Sequence, residues 1–452
     1  MRKLLLINPV GRKSGFLSSS ATTFPPLSLA YIAALTPSDW QIKILDENFN
    51  DFVFEEADLV GITAFTSNIN RAYEIARIYK TKNIKVILGG IHASMLPDEA
   101  LQFADAVVIG EAENIWGKVI RDFENNALIQ QYKGEVVDLT KLKITPRRDL
   151  LHPDYFWQTV QTSRGCPLNC NFCSVSRYLG RQYRQRTSED ILKEIEGIQG
   201  DYIFFADDNL IGYGKEAFQR AKDLFSGMIS RKFNKKWWMQ TSINAAEDEE
   251  VIKLAAEAGC LFVFIGFETI TTDSLKSFKK GVNIKVGVDN YKKVVDVFHK
   301  YGIAVLGAFI IGSDYESTHY YKQFTNFLIK SDIDIFQITF LTPLPGTDFF
   351  EQLIKENRLI HTNYPSDWDK YRFSYVVHKI NGSTPELIYT ASNYIKKNLY
   401  SFPTYQIRLI KSFLNIKKMK NWFAVSKYNQ GYKKGWKNSH YYSKYPSDLP
   451  LD

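Results

Sequence analysis

Short apolar runs alternate with helical patterns through the first 125 residues. The runs are Lys3 to Pro9, Gln41 to Leu45, Asp58 to Phe65, Lys85 to Gly90 and Ala106 to Gly110, and between them Leu27 to Leu35, Asn68 to Tyr79 and Ile115 to Phe123 place apolar residues at helical spacing. This alternation predicts an α/β fold with a doubly wound parallel sheet, because each parallel strand needs a crossover that packs on the sheet. Residues 126–155 have little periodicity and read as a linker. From Phe156 the alternation resumes, with strand patterns at Phe156 to Thr162, Tyr202 to Ala206, Trp237 to Thr241, Phe262 to Glu268, Ala304 to Ile311 and Ile335 to Leu341. Helical patterns fall between them at Ser188 to Gly197, Lys215 to Ile229, Glu247 to Ala258, Lys285 to His299 and Thr318 to Ile329. Six strand–helix units over 156–360 are too few for a complete eight-stranded barrel. Beyond about residue 360 the alternation stops: Tyr364 to Asp369 is a turn-rich link, Pro385 to Tyr400 is amphipathic, and 361–452 reads as a mostly helical C-terminal region.

In parallel α/β sheets ligands sit beyond the carboxyl ends of the strands. In the first unit those positions hold Asp46-Glu47-Asn48, Thr63 to Ser67, Gly89-Gly90-Ile91-His92 and Gly110-Glu111. Adjacent glycines let backbone approach a flat ligand closely. The Gly-x-Gly-x-x-Gly fingerprint is absent, which argues against a dinucleotide. In the second unit the first strand runs into Cys166-Pro167-Leu168-Asn169-Cys170-Asn171-Phe172-Cys173. Three thiols on so short a loop suit a soft metal site, and the lack of a fourth nearby cysteine leaves one metal corner for another ligand. Cys260, the remaining cysteine, reads as a small buried hydrophobe.

Composition adds limits. At 452 residues and 45% hydrophobic the chain can bury at least two cores. Four cysteines, three of them clustered, make no disulfide framework and fit a reducing, cytoplasmic compartment. The apolar start Leu4-Leu5-Leu6-Ile7 is too short for a signal segment and reads as a first strand, and no run approaches the roughly 18 apolar residues of a membrane span. The formal charge of +8 is concentrated: ten cations and no Asp or Glu lie between Gln406 and Lys444. The rest of the chain is therefore slightly negative.

Cys-x3-Cys-x2-Cys with an aromatic residue before the last cysteine resembles the signature of the radical S-adenosylmethionine (radical SAM) superfamily. The resemblance implies a partial barrel and a [4Fe-4S] cluster on Cys166, Cys170 and Cys173, with S-adenosylmethionine on the unique iron. The segments Phe24 to Tyr31, Gly61-Ile62-Thr63, Leu88 to Ala93 and Ile109 to Glu113 are similar to recurring segments of the cobalamin-binding, Rossmann-like domain of cobalamin-dependent radical SAM enzymes. By that resemblance Thr63, Ser67, Gly89, Gly90, His92, Gly110 and Glu111 face cobalamin. The Asp-x-His-x-x-Gly cobalt-ligand motif is missing, so His92 suits packing or hydrogen bonding rather than cobalt ligation.

The same resemblance assigns Phe172, Asp207, Asp208, Glu268 and Gly312 to S-adenosylmethionine, without deciding between Asp207 and Asp208 for its amine. No catalytic side chain is singled out, because cofactors carry chemistry of this kind. The implied activity is C-methylation of an unactivated carbon in a small-molecule or lipid substrate, with an external electron donor such as flavodoxin or ferredoxin. Oxidative cyclisation with the same cofactors is the alternative. A tRNA-modifying methylthiotransferase would be expected to carry cysteines in its N-terminal domain, and residues 1–155 contain none. Pocket candidates are Trp237, Trp238, Gln240, Gln337 and Tyr371. The basic, aromatic-rich tail reads first as a helix packed on the barrel, then as a peripheral membrane contact, and last as a nucleic-acid contact.

Overall fold

The computed structural model describes residues 1–11 and 23–438. Its first sheet comprises β1 (Arg2–Asn8), β2 (Trp40–Asp46), β3 (Leu59–Thr63), β4 (Lys85–Gly89), β5 (Ala106–Ile109) and β6 (Gln131–Lys133), all parallel, in the order β2-β1-β3-β4-β5-β6. Helices cover both faces, so the strands are apolar on both sides. Leu5, Ile7, Val60 and Ile62 pack toward Ala72, Ile75 and Tyr79 of one helix, while Leu4, Leu6 and Leu59 pack toward Leu29 and Trp116 on the other face. The order reverses direction between β1 and β3, the switch point beyond which such sheets open a crevice. β6 lies inside the stretch read as a linker and extends the sheet by one edge strand.

After β7 (Gln158–Val160), a small antiparallel pair of β8 (Ser163–Arg164) and β9 (Arg184–Gln185) brackets the cysteine loop. The second sheet then adds β10 (Tyr202–Phe205), β11 (Lys236–Thr241), β12 (Cys260–Glu268), β13 (Ala304–Ile311) and β14 (Ile335–Phe340), all parallel, in the order β14-β13-β12-β11-β10-β7. The two edges do not meet, so the barrel is partial. Side chains alternate along these strands. Ile203, Phe205, Trp237, Val263, Ile265 and Val305 join the core under the outer helices, and Phe204, Trp238, Phe262, Leu306 and Ile335 form a separate cluster on the concave face. Trp237 is therefore core, its indole N–H donating to Ala258 O at 2.9 Å, and is not a pocket residue.

The C-terminal region closes both units. Helix Met419–Asn438 enters the concave cluster through Val425, and Asn421 Nδ2 lies 3.1, 3.1 and 2.8 Å from the carbonyls of Cys260, Leu261 and Gly302 at the amino ends of β12 and β13. The tail is thus a packed helix as far as it is described; Lys444 lies outside the described residues. Tyr364 to Asp369 is no free link. Trp368 is buried in the first unit's core, stacks on Tyr364 at 3.8 Å and donates its indole N–H to Glu99 at 2.9 Å. Tyr371 belongs to the same core and hydrogen-bonds His361 O at 2.7 Å, which removes it from the pocket candidates. Cys260 is buried, as its sequence context suggested. Among the described residues no helix is long and apolar enough to cross a membrane.

Asn421→Ala leaves buried strand-end carbonyls without their donor and should cost about 1–3 kcal/mol. Urea unfolding followed by tryptophan fluorescence checks this: a lower midpoint with unchanged slope is expected.

Candidate functional site

The cysteine loop leaves the first barrel strand through Gly165, whose φ is +85°; a Cβ there would stand 2.2 Å from Gln182 O. Only glycine permits that crossing. Backbone bonds then set the loop's shape, Cys166 N–H to Gly180 O at 3.1 Å and Cys173 N–H to Cys170 O at 3.2 Å. Asn171 anchors it from outside, donating from its backbone to Phe278 O (3.2 Å) and from Nδ2 to Ser277 O (2.8 Å) and accepting from Phe349 N–H (3.0 Å). Phe172 packs edge-on against Phe278. Cys170 is buried, and Cys166 and Cys173 are half-buried. Burial pushes all three thiols up, Cys173 to about 12, and at each the ammonium of Lys280 acts in the opposite direction.

Lys280 was not picked out from the sequence. It is paired with Glu268 at 2.5 Å, which outweighs burial and keeps the ammonium charged. Three soft donors beside one buried cation form a donor set suited to an anionic metal–sulfur cluster. Among the described residues no three His, Cys, Asp or Glu side chains converge tightly enough for a single ion.

The strand ends around this loop separate the two neighbouring aspartates. Asp207 is fully buried and accepts from Thr162 N–H (2.9 Å), Thr162 Oγ1 (3.0 Å), Ser163 Oγ (2.6 Å) and Ser163 N–H. It ties β10 to the start of the cysteine loop. Asp208 instead is exposed at the barrel mouth; surrounding protein and the neighbouring Asp207 push its pKa up to about 6. Glu268 sits at a register shift in β12 with φ +67°, so its carboxylate is turned out of the strand's alternation toward Lys280. Gly312, with φ +100°, donates its N–H to Glu316 at 2.7 Å, and Glu316 also accepts from Tyr321 at 2.7 Å. Burial raises Glu316 to about 7. The sequence offers two carboxylates after the strand-end glycine, Asp314 and Glu316, with nothing local to choose between them.

At the carboxyl edge of the first sheet, Gly89 has nothing within 4 Å of where a Cβ would lie, so its backbone borders open space. Gly90 has φ +90° and is needed for closure, since a Cβ would meet Thr63 Oγ1 at 2.7 Å. Gly110 donates its N–H to Ser94 Oγ at 3.0 Å. Thr63 and Ser67 are half-buried on the same edge, and Phe65 between them is 69% exposed. An edge with bare glycine backbone and an uncovered aromatic ring fits a flat macrocycle. His92 does not line this surface: it is fully buried, with Nδ1 3.1 Å from Thr66 Oγ1 and Nε2 3.2 Å from Glu99. Both nitrogens are committed to packing.

Glu111 is also committed elsewhere. Its carboxylate receives both Nη atoms of Arg184, Nη1 at 3.0 Å, together with Arg164 Nη1 at 3.1 Å and Val137 N–H at 3.0 Å. Arg164 Nη2 reaches Glu113 at 2.5 Å. Burial pulls the Glu111 carboxyl up, but the bonds and charges of the two guanidiniums hold it below the usual carboxylate range. These partners lie on opposite units, with Glu111 and Glu113 just past β5 and Arg164 and Arg184 on the pair flanking the cysteine loop. A second contact lies nearby: a Cβ on Gly346, past β14, would fall 2.4 Å from Met95 Sδ, past β4. The carboxyl ends of the two sheets therefore face one another.

Comparison with known proteins agrees with this arrangement. The model of the radical SAM superfamily matches residues 160–328, and that of the B12 binding domain matches residues 14–119. Bacteriochlorophyllide d C-12(1)-methyltransferase of Chlorobaculum tepidum is 31% identical over 82% of this chain and 81% of its own length. Hopanoid C-2 methylase of Rhodopseudomonas palustris is 29% identical over 75% of this chain and 66% of its own. Among solved structures, the cobalamin-dependent S-adenosylmethionine radical enzyme OxsB with aqua-cobalamin and S-adenosylmethionine bound shares the fold, with TM-score 0.73 and 16% identity over 96% of this chain and 76% of that one.

Glu111→Ala leaves two guanidiniums buried without their shared carboxylate and should cost about 3–5 kcal/mol. Thermal unfolding and limited proteolysis between the two units check this, with faster cleavage expected in the variant. Gly165→Ala should lower the iron retained after anaerobic reconstitution, measured as iron per chain, because the loop cannot close past Gln182.

Proposed function

Because the chain belongs to the cobalamin-dependent radical SAM enzymes, we propose that it is a C-methyltransferase acting on an unactivated carbon of a small-molecule or lipid natural product. When bound, the cluster with S-adenosylmethionine supplies a hydrogen-abstracting radical and the corrinoid supplies a methyl group. The observation that carries the reading is the opposition of two carboxyl edges across a buried ion network, which gives one chamber with a thiol loop on one wall and bare glycine backbone on the other.

In this reading Cys166, Cys170 and Cys173 hold the cluster and Lys280 offsets its negative charge. Asp208, open at the barrel mouth, receives the methionine ammonium, and Asp207 is a positioning residue that fixes the loop beside it. Glu268 offers a carboxylate to ribose hydroxyls, and Gly312, held by Glu316, leaves room for adenine, with Phe172 closing the side. Thr63, Ser67, Gly89, Gly90 and Gly110 border the corrinoid. His92 and Glu111 act through the elements they fix. On the concave face, Gln240 and Gln337 are half-buried, Gln337 accepting from the Tyr432 hydroxyl at 3.0 Å, and Trp238 stacks between Phe204 and Phe262. The reading divides the chain into a cobalamin-binding unit, a radical SAM barrel over 156–360 and a C-terminal region from 361. An external flavodoxin or ferredoxin supplies the electron.

Three outcomes check it. Incubation of reconstituted enzyme and substrate extract with methyl-labelled S-adenosylmethionine should give 5'-deoxyadenosine and S-adenosylhomocysteine in equal amounts, with label in one methylated compound besides the methionine released alongside 5'-deoxyadenosine. Formation of 5'-deoxyadenosine without S-adenosylhomocysteine would instead assign a cyclisation or rearrangement. Asp208→Asn should weaken S-adenosylmethionine binding by at least about tenfold in calorimetry, since an ionic hydrogen bond is lost. In the parent enzyme affinity should fall as the pH drops through about 6, where Asp208 takes a proton and loses its attraction for the ammonium.

A further inference from the structure

The helix Thr404–Ile416 carries apolar side chains on both its buried and its outer face. Its buried face carries Tyr405 and Ile416 together with Arg408 at 7% and Ser412 at 5% exposure, whereas Ile407, Ile410 and Leu414, spaced three and four apart on one stripe, are 58, 60 and 61% exposed. Arg408 is held by protein groups, its guanidinium 4.6 Å over the Phe336 ring and within 3.3 Å of Asp334 O. A second apolar stripe is thus left facing outward, beyond what the inner face needs for packing. Neighbouring side chains extend the stripe: Phe402 is 82% exposed, Met419 52% and Phe423 55%. Seven of the 21 large apolar side chains exposed among the described residues fall between Phe402 and Phe423, so they form one patch rather than a scatter.

The patch has a mainly basic rim, with one carboxylate at its side, Asp332, neutralised by Lys411 at 2.6 Å. Lys417, Lys420 and Lys427 are exposed beside it, and no Asp or Glu occurs from Phe402 to Lys427. We propose that this face docks on an anionic lipid bilayer, with the stripe at the acyl boundary and the lysines at the headgroups. A basic rim around an apolar stripe is the pattern of interfacial helices. It also disfavours a second copy of the chain, since a twofold contact would set two identical cationic rims against each other. The patch lies at the amino ends of the barrel strands, where Lys411 donates to Lys330 O and Lys418 to Tyr301 O. Docking there leaves the cofactor-bearing mouth, at the opposite ends of the strands, clear. The proposal is independent of which substrate is methylated.

Flotation of the full chain with phosphatidylcholine vesicles, with and without about 30% phosphatidylglycerol, tests it. The parent protein should float with the anionic vesicles and at least about tenfold less with the neutral ones. Ile407→Glu with Leu414→Glu, and separately Lys417→Glu with Lys420→Glu, should each lower the bound fraction at least about tenfold, with circular dichroism unchanged because all four sites face water. Equal flotation of parent and variants overturns the proposal, as does no flotation at all. A parent dimer that the apolar variant splits, without vesicle binding, assigns the face to self-association and overturns it. Vesicle binding that arises only after residues 439–452 are removed assigns the face to that segment, with the same consequence.

Discussion

Two arginines buried against two glutamates decide where everything else sits. Arg164 and Arg184 flank the cysteine loop, Glu111 and Glu113 follow the fifth strand of the first sheet, and their charges meet where water is excluded. Such a network adds little net stability over apolar packing, but it is intolerant of losing a partner or slipping in register. It fixes an orientation rather than strengthening a core. Because the groups involved are at the carboxyl ends of both sheets, the orientation it fixes is that of two ligand-binding edges toward each other.

The C-terminal region makes the same arrangement permanent from behind. Trp368, locked to Glu99, ties the segment after the barrel into the core of the first unit, so the chain embraces its own interface. Further on, the helix carrying Asn421 and Val425 fills the concave face at the amino ends of the strands. The stacked rings of Phe204, Trp238 and Phe262 form the boundary between that filled half and the open mouth, and Phe24 from the first unit packs against Phe204.

The periodic elements were readable from the sequence because parallel strands covered on both faces are continuous apolar runs: β13 has the expected limits, and β1 is offset from its expected ones by one residue. The β6 strand was not readable, since Gln-Tyr-Lys on a sheet edge has no apolar run to detect. Trp368 sat in a stretch rich in turn residues, and its burial depends on Glu99, 269 positions earlier. The choice between Asp207 and Asp208 needed the direction each side chain takes. Glu111 was expected to face cobalamin, whereas its carboxylate is held by Arg164 and Arg184, partners 53 and 73 residues away that no local pattern reveals. Lys280 had no pattern of its own; only the fold brings it beside three thiols. Local chemistry was visible wherever it was local.

The central claim is that both edges enclose one reaction chamber. Electron paramagnetic resonance of the reduced holoenzyme measures this most directly, because a one-electron-reduced cluster and cob(II)alamin each carry an unpaired spin. Dipolar coupling between the two signals is the expected result. Two independent, uncoupled signals from fully loaded enzyme would contradict the account.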